Sequence, residues 1–207
     1  MGNSSTRKGV AALAVIAAAL ISVPSAYSGT VDIYNFNKDP VGESTAFSNT
    51  IRGLTATFSS PADPGGFAVE PTFFAPPMTG NVLDDPGPSS ASGIALTISF
   101  NHNVSYIAIF FATDGAGSFD LSAYENSVLV ATATATGVVP KGYSFPQGFL
   151  ELYGATFNSV VVSSPSTPYF AIDNVCVSST PEPSSLILLG SGLAGLVGVL
   201  RRRFKTT

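Results

Sequence analysis

Of the side chains that usually carry out chemistry, this 207-residue chain offers one histidine, one cysteine and thirteen carboxylates, and it has no tryptophan. His102 and Cys176 are far apart in sequence, and nothing in their spacing makes them partners. Cys176 sits in the apolar run from Ala171 to Val177, where a thiol serves as a small buried hydrophobe. The functional alternatives are intermolecular pairing or a nucleophile working with His102. No GxSxG or HExxH pattern is present, and one histidine cannot build a multi-histidine metal site. Asp84-Asp85 lies in a Pro- and Gly-rich stretch and reads as a turn. A glycosidase would need two opposed carboxylates, which a sequence does not locate when they come from separate strands. The expectation is a protein that is not an enzyme. Sugar binding needs flat aromatics beside polar groups; Tyr124, Tyr143, Tyr153 and Tyr169 are the candidates, though in a β-sandwich such residues also serve the core.

The elements that must position these groups read as strands. The body is rich in Thr, Val, Ile, Phe and Tyr, punctuated by Gly, Pro, Asn and Ser, and has no 3.6-residue apolar period. Strands are expected at 31–36, 51–59, 94–100, 106–113, 118–125, 127–134, 148–153, 159–163 and 170–177. From Ser118 the alternation is clear, with Phe119, Leu121 and Ala123 on one side and Ser118, Asp120 and Ser122 on the other. Glu125-Asn126-Ser127 then predicts a hairpin turn. The run Tyr106 to Phe111 is apolar on both sides, as a central strand requires. Ser60 to Gly93, with seven prolines and five glycines, predicts a long excursion over one end. Thr132, Thr134 and Thr136 share one strand face; a single such row is a solvated face, because lattice matching of the ice-binding kind needs several stacked rows.

Charge narrows the partners. Residues 29–180 hold twelve acidic and three basic side chains, a net charge of −9 against −4 for the whole chain. Without a basic patch, nucleic acid and anionic membrane surfaces are excluded as partners, leaving cations, neutral glycans and basic proteins. One cysteine means no internal disulfide.

Both ends carry transport signals. Arg7 and Lys8 precede the apolar run from Val10 to Ile21, and Ala26-Tyr27-Ser28 follows Pro24, so 1–28 reads as a secretory signal peptide. The last 28 residues, 180–207, open with Pro181, Glu182 and Pro183, continue through an apolar stretch and end in Arg201, Arg202, Arg203 and Lys205. The 17 residues from Ser184 to Leu200 are close to the roughly 20 that span a bilayer as a helix, and the basic cluster keeps its own end cytoplasmic. The expectation is a C-terminal transmembrane helix and an inner-membrane-anchored precursor. These residues resemble the PEP-CTERM sorting signal of Gram-negative bacteria. The resemblance implies that an exosortase recognises Pro181, Glu182 and Pro183, ahead of Arg201, Arg202 and Arg203, and releases the body toward the cell surface or extracellular matrix. An unprocessed tail anchor is the alternative.

The body, 29–179, resembles the jelly-roll domains found ahead of such signals, most densely at TISFNHNVSYIAIFF, GSFDLSAYENSVLV and FNSVVVSSPSTPYFAIDNVCV. The run 170–175 looks like the closing strand of galactose-binding-like or carbohydrate-binding-module-like folds. That likeness implies a structural calcium on Asp173, with Asp32 or Asn35 as partners; the segment VDIYNFN lacks the glutamate common there. The other reading has Asp173 and Asn174 hydrogen-bonding loop backbone. The fold class expected is thus all-β, an antiparallel β-sandwich of the jelly-roll kind, flanked by a signal peptide and the C-terminal helix. Its role would be structural or adhesive, or else binding of extracellular polysaccharide or calcium.

Overall fold

The computed structural model describes residues 30–85, 94–165, 167 and 169–179. The expected signal peptide and the sorting signal from 180 onward lie outside them. Ten strands follow in order: β1 (Val31–Tyr34), β2 (Phe47–Ile51), β3 (Leu54–Ser59), β4 (Ala68–Pro71), β5 (Asn81–Asp84), β6 (Ala95–Thr113), β7 (Ser118–Glu125), β8 (Val128–Thr136), β9 (Gln147–Ser163) and β10 (Phe170–Ser179). A single 3-10 turn, Phe36–Lys38, is the helical element among the described residues.

All strand pairs are antiparallel, and the expected β-sandwich is present. Two long strands build both of its layers. The first half of β6 pairs with β3 and with the end of β9, while its second half pairs with β10 and with the start of β9. One layer is therefore β2-β3-β6-β9-β7-β8. The other runs β9-β6-β10, with β1 and the β4–β5 hairpin sharing the far edge of β10. Register shifts between Ser99 and Tyr106 mark where β6 bends from one layer to the other, at the exposed triplet Asn101-His102-Asn103. That polar triplet is why the sequence reads as two strands, 94–100 and 106–113.

The layers close on one core. Phe119 of β7 stacks on Phe111 of β6 with ring centroids 4.3 Å apart and meets Phe170 of β10 edge-on at 5.3 Å. At the other side Phe36 packs on Phe58, and the Tyr34 hydroxyl donates to the Leu54 carbonyl at 2.8 Å, joining β1 to β3 across the sandwich. Burial pushes the Tyr34 phenol pKa upward, with Asp32 adding to it, so the hydroxyl keeps its proton for that bond. The β7–β8 turn has positive φ at Asn126 and Ser127, the conformation of a type I′ hairpin, as the turn residues predict.

Gly148 of β9 lies opposite Phe111, and a Cβ there would meet the ring at 2.5 Å. The ring is fully buried against Phe119 and cannot swing away. Gly148→Ala is therefore expected to cost about 1–3 kcal/mol of overpacking strain, measurable by chemical denaturation.

Two expectations are corrected here. The stretch 60–93 is not an unstructured excursion: it holds β4 and β5, a hairpin that extends the sheet beside β10. Its prolines escape notice as strand material because β4 ends on Pro71 at the edge, where no ladder donor is needed. Among the described residues no helix is long and apolar enough to cross a membrane. The expected C-terminal transmembrane helix, and the inner-membrane anchoring drawn from it, therefore find no support in the described structure, since spanning takes about 20 apolar residues in one helix. The stretch on which that expectation fell lies outside the described residues.

Candidate functional site

A cleft of about 180 Å³ opens at the end of the sandwich where β5 and β6 finish and β10 begins. Its walls are of two kinds. Phe73, Phe74, Phe145 and Tyr169 supply aromatic surface, and Asp84, Asp85 and Asp114 supply carboxylates.

The aromatic wall depends on the β4–β5 connection. Phe74 and Met78 fold down onto Val82, Ala112 and Ala171, forming a second small apolar cluster outside the main core, with Phe110 and Phe145 against it. Phe73 stands beside Phe74 at 4.5 Å and beside Phe145 at 5.5 Å, yet is 58% exposed, so a ring face remains open to a ligand. Polar ties hold the connection down: the Ala75 N–H donates to Gln147 Oε1 at 3.0 Å, and the Thr79 N–H donates to Asp173 Oδ2 at 3.2 Å. Asn174 Nδ2 donates to the Pro77 carbonyl at 2.9 Å.

The acidic wall comes from strand ends. Asp84 closes β5 between β4 and β10, opposite Ala68 and Ala171. Burial, then the Asp85 charge and Glu70, push its pKa up to about 7, against one opposing hydrogen bond from the Asp85 backbone N–H. Near neutral pH it therefore both accepts hydrogen bonds and, when protonated, donates one. Asp114 follows β6 and donates its N–H to the Tyr169 carbonyl. Together these groups can stack on the apolar face of a sugar ring and bond its hydroxyls.

The residues singled out from sequence fall in several places. Asp173 is fully buried at the β10 bulge, where Asn174 takes φ 48 and the neighbouring strand changes from β5 to β1. Its oxygens accept from the Thr79 N–H, the Asn174 N–H and Asn174 Nδ2. Burial raises its pKa to about 6, opposed by the backbone bonds from Asn174 and Thr79. Asp32 instead faces Arg52 at 3.6 Å, and Asn35 is exposed beyond the Tyr34–Val175 pair. Among the described residues no three His, Cys, Asp or Glu side chains are grouped to hold a metal ion. Asp173 thus ties down the β4–β5 connection. Asp173→Ala is expected to cost about 1–3 kcal/mol by stranding those donors, while calcium or EDTA leaves the melting temperature unchanged. A calcium-dependent melt would contradict this.

Tyr169 lines the cleft; Tyr153, 70% exposed, stands on the outer face of β9, and Tyr124 and Tyr143 lie elsewhere. Asp84-Asp85 is a strand end in the cleft rather than a turn. His102 is exposed at the β6 bend, whereas Cys176 lies in β10, donates to the Asn174 carbonyl and has its pKa raised by burial. Phe73, Phe145 and Asp114 carry no signal of their own in the sequence, because only the fold brings them to one place.

Comparison with known proteins bears on the end of the chain. Residues 179–203 match the family described as PEP-CTERM protein-sorting motif. The chain carries that sorting signal. The PEP-CTERM match begins at Ser179, the last residue of β10, so the motif follows directly on the sandwich. No curated protein matches the chain. Among solved structures it is similar to a variant of a family 29 carbohydrate-binding module complexed with mannohexaose, at 11% identity over 73% of this chain and 92% of that one, with a TM-score of 0.38. It is also similar to a Streptococcus pneumoniae fucose-binding module, at 12% identity over 75% and 97%, with a TM-score of 0.34. Scores of this size carry no argument, and the fold assignment rests on the strand pairing.

Proposed function

We infer that the PEP-CTERM signal hands this protein to an exosortase for delivery to the cell surface or extracellular matrix, where the sandwich binds a neutral glycan in the end cleft. The observation that carries the reading is the open face of Phe73 beside Phe145 and the three carboxylates of the cleft. A sandwich with a purely structural role needs no such arrangement. The net charge of −9 turns away anionic polymers and favours an uncharged ligand. Asp84 and Asp85 are neighbours on one strand end, while Asp114 reaches the same cleft from the end of β6; because a glycosidase also draws two acids from separate strands, hydrolysis of a bound oligosaccharide is the result that would replace binding by catalysis.

Titration of neutral oligosaccharides, chosen from a glycan array, tests the cleft. Phe73→Ala is expected to weaken binding about tenfold without changing the melting temperature, since its ring is largely exposed. Absence of any array binding would remove the reading. For the sorting step, mass spectrometry of the mature protein should find no residues beyond the Pro-Glu-Pro region; an intact Arg201–Arg203 tail would contradict exosortase processing.

A further inference from the structure

The outer face of the layer β2-β3-β6-β9-β7-β8 has a chemistry unlike the cleft. Inward positions such as Phe58, Ile98, Val160 and Leu121 are fully buried, so the alternate residues face out. Strand register aligns those outward residues into rows of hydroxyls. One row runs Ser48, Thr57, Ser99, Ser159 and on to Tyr124, crossing five strands. The next runs Ser59, Thr97, Val161, Ser122 and Thr132. Thr50 faces Thr55 beside the first row, and Thr134 and Thr136 continue the array at the β8 edge opposite Asp120 and Ser118. The single threonine row legible in β8 is thus one of several, assembled by strands distant in sequence.

We propose that this face is a second binding surface, for the flat exterior of an uncharged polysaccharide whose chains lie side by side. Charge selects the partner. Among the outward residues of these rows Asp120 is the one acidic or basic side chain, on a body that is otherwise strongly acidic. Such a face offers no cation to a phosphate and no acidic cluster to a basic protein; its apolar residues are Val161 within the second row and the exposed Val128, Leu129 and Val130 at the β8 end, where Leu129 lies opposite Tyr124. It does offer donors and acceptors repeating at about 4.8 Å across strands and about 6.8 Å along them, over roughly 24 Å. Cross-strand pairs such as Ser48–Thr57 at 2.7 Å and Thr50–Thr55 at 2.8 Å hold hydroxyls in place. Each hydroxyl contact is weak in water, but many act at once and no charge has to be stripped of water. This extends the polysaccharide reading to a separate surface and is testable apart from the cleft.

The test is depletion of the full-length protein from solution by insoluble cellulose, chitin, β-1,3-glucan and agarose, with soluble oligosaccharide binding measured in parallel. The double variant Thr57→Val, Thr134→Glu is expected to lose adsorption about tenfold, equivalent to about 1.4 kcal/mol, while keeping soluble binding and melting temperature. Thr134→Glu alone, on the exposed edge strand, covers a folding failure of the double variant and should lose part of the adsorption. Phe73→Ala should do the reverse, and 1 M salt should leave adsorption unchanged. Unchanged adsorption by both face variants, no adsorption of the wild type to any of the four solids, or partition into growing ice without adsorption to them would each overturn the proposal. Adsorption without soluble binding would uphold it and remove only the cleft.

Discussion

Asp84→Asn is expected to stabilise the domain by up to about 4 kcal/mol at pH 8 and to leave its stability unchanged at pH 4. The reason is the sign of the shift. In the fold the Asp84 carboxyl holds its proton to about pH 7, whereas the ordinary value is 3.8. Between those values the folded chain binds a proton that the unfolded chain has lost, so stability falls as pH rises from about 4 and levels off above about 7. Asp173, raised to about 6, adds a second decline of the same sign between about 4 and 6. Asparagine keeps the shape of Asp84 and cannot ionise. Because the cleft admits water, the figure is an upper bound. Urea denaturation of both proteins from pH 4 to 8 reads the effect, and parallel curves would refute it. The same substitution is expected to weaken glycan binding, because it removes a carboxylate that a hydroxyl would meet.

Phe119→Ala should be the most damaging single truncation, costing about 3–5 kcal/mol. The ring is fully buried and touches both Phe111 and Phe170, so it joins β7 of one layer to β6 and β10 of the other. Its removal leaves a cavity between the two layers beside Phe111 and Phe170, which are themselves buried and held in the core. Against a total of about 5–15 kcal/mol for a domain of this kind, that loss brings the melting temperature near or below physiological values. Phe119→Leu should recover most of it. Calorimetry that found less than about 1 kcal/mol would show that the layers do not depend on this contact.

Much of the fold is legible because alternation survives burial. Ser118–Glu125 is found with its bounds, and the turn at Asn126-Ser127 follows from two residues that tolerate positive φ. Where the sequence misleads, a local break coincides with a real strand. Gly154, at φ 83, interrupts β9 as Asn101-His102-Asn103 interrupts β6, yet both chains run on through the bend. Phe47–Ile51 is missed because outward Ser48 and Thr50, with polar Asn49 on the inner side between Phe47 and Ile51, dilute the apolar signal. The cleft is hardly legible at all. Phe73, Asp84, Asp114, Phe145 and Tyr169 meet only through the pairing of β5, β6 and β10, and no local pattern encodes that meeting.

β10 has the cleft at one end and the sorting motif at the other. Phe170 and Ala171 line the cleft, while Ser179 begins the motif, about 30 Å further along the strand. A ligand seized at the cleft and a tail held at the opposite end would pull along the length of β10. That strand is flanked by β6 on one side and by β5 and β1 on the other, so the load falls on many ladder hydrogen bonds together, in shear, instead of opening them one at a time. If the glycan reading holds, a bound ligand and the sorted end of the body would thus load a single strand from its two ends.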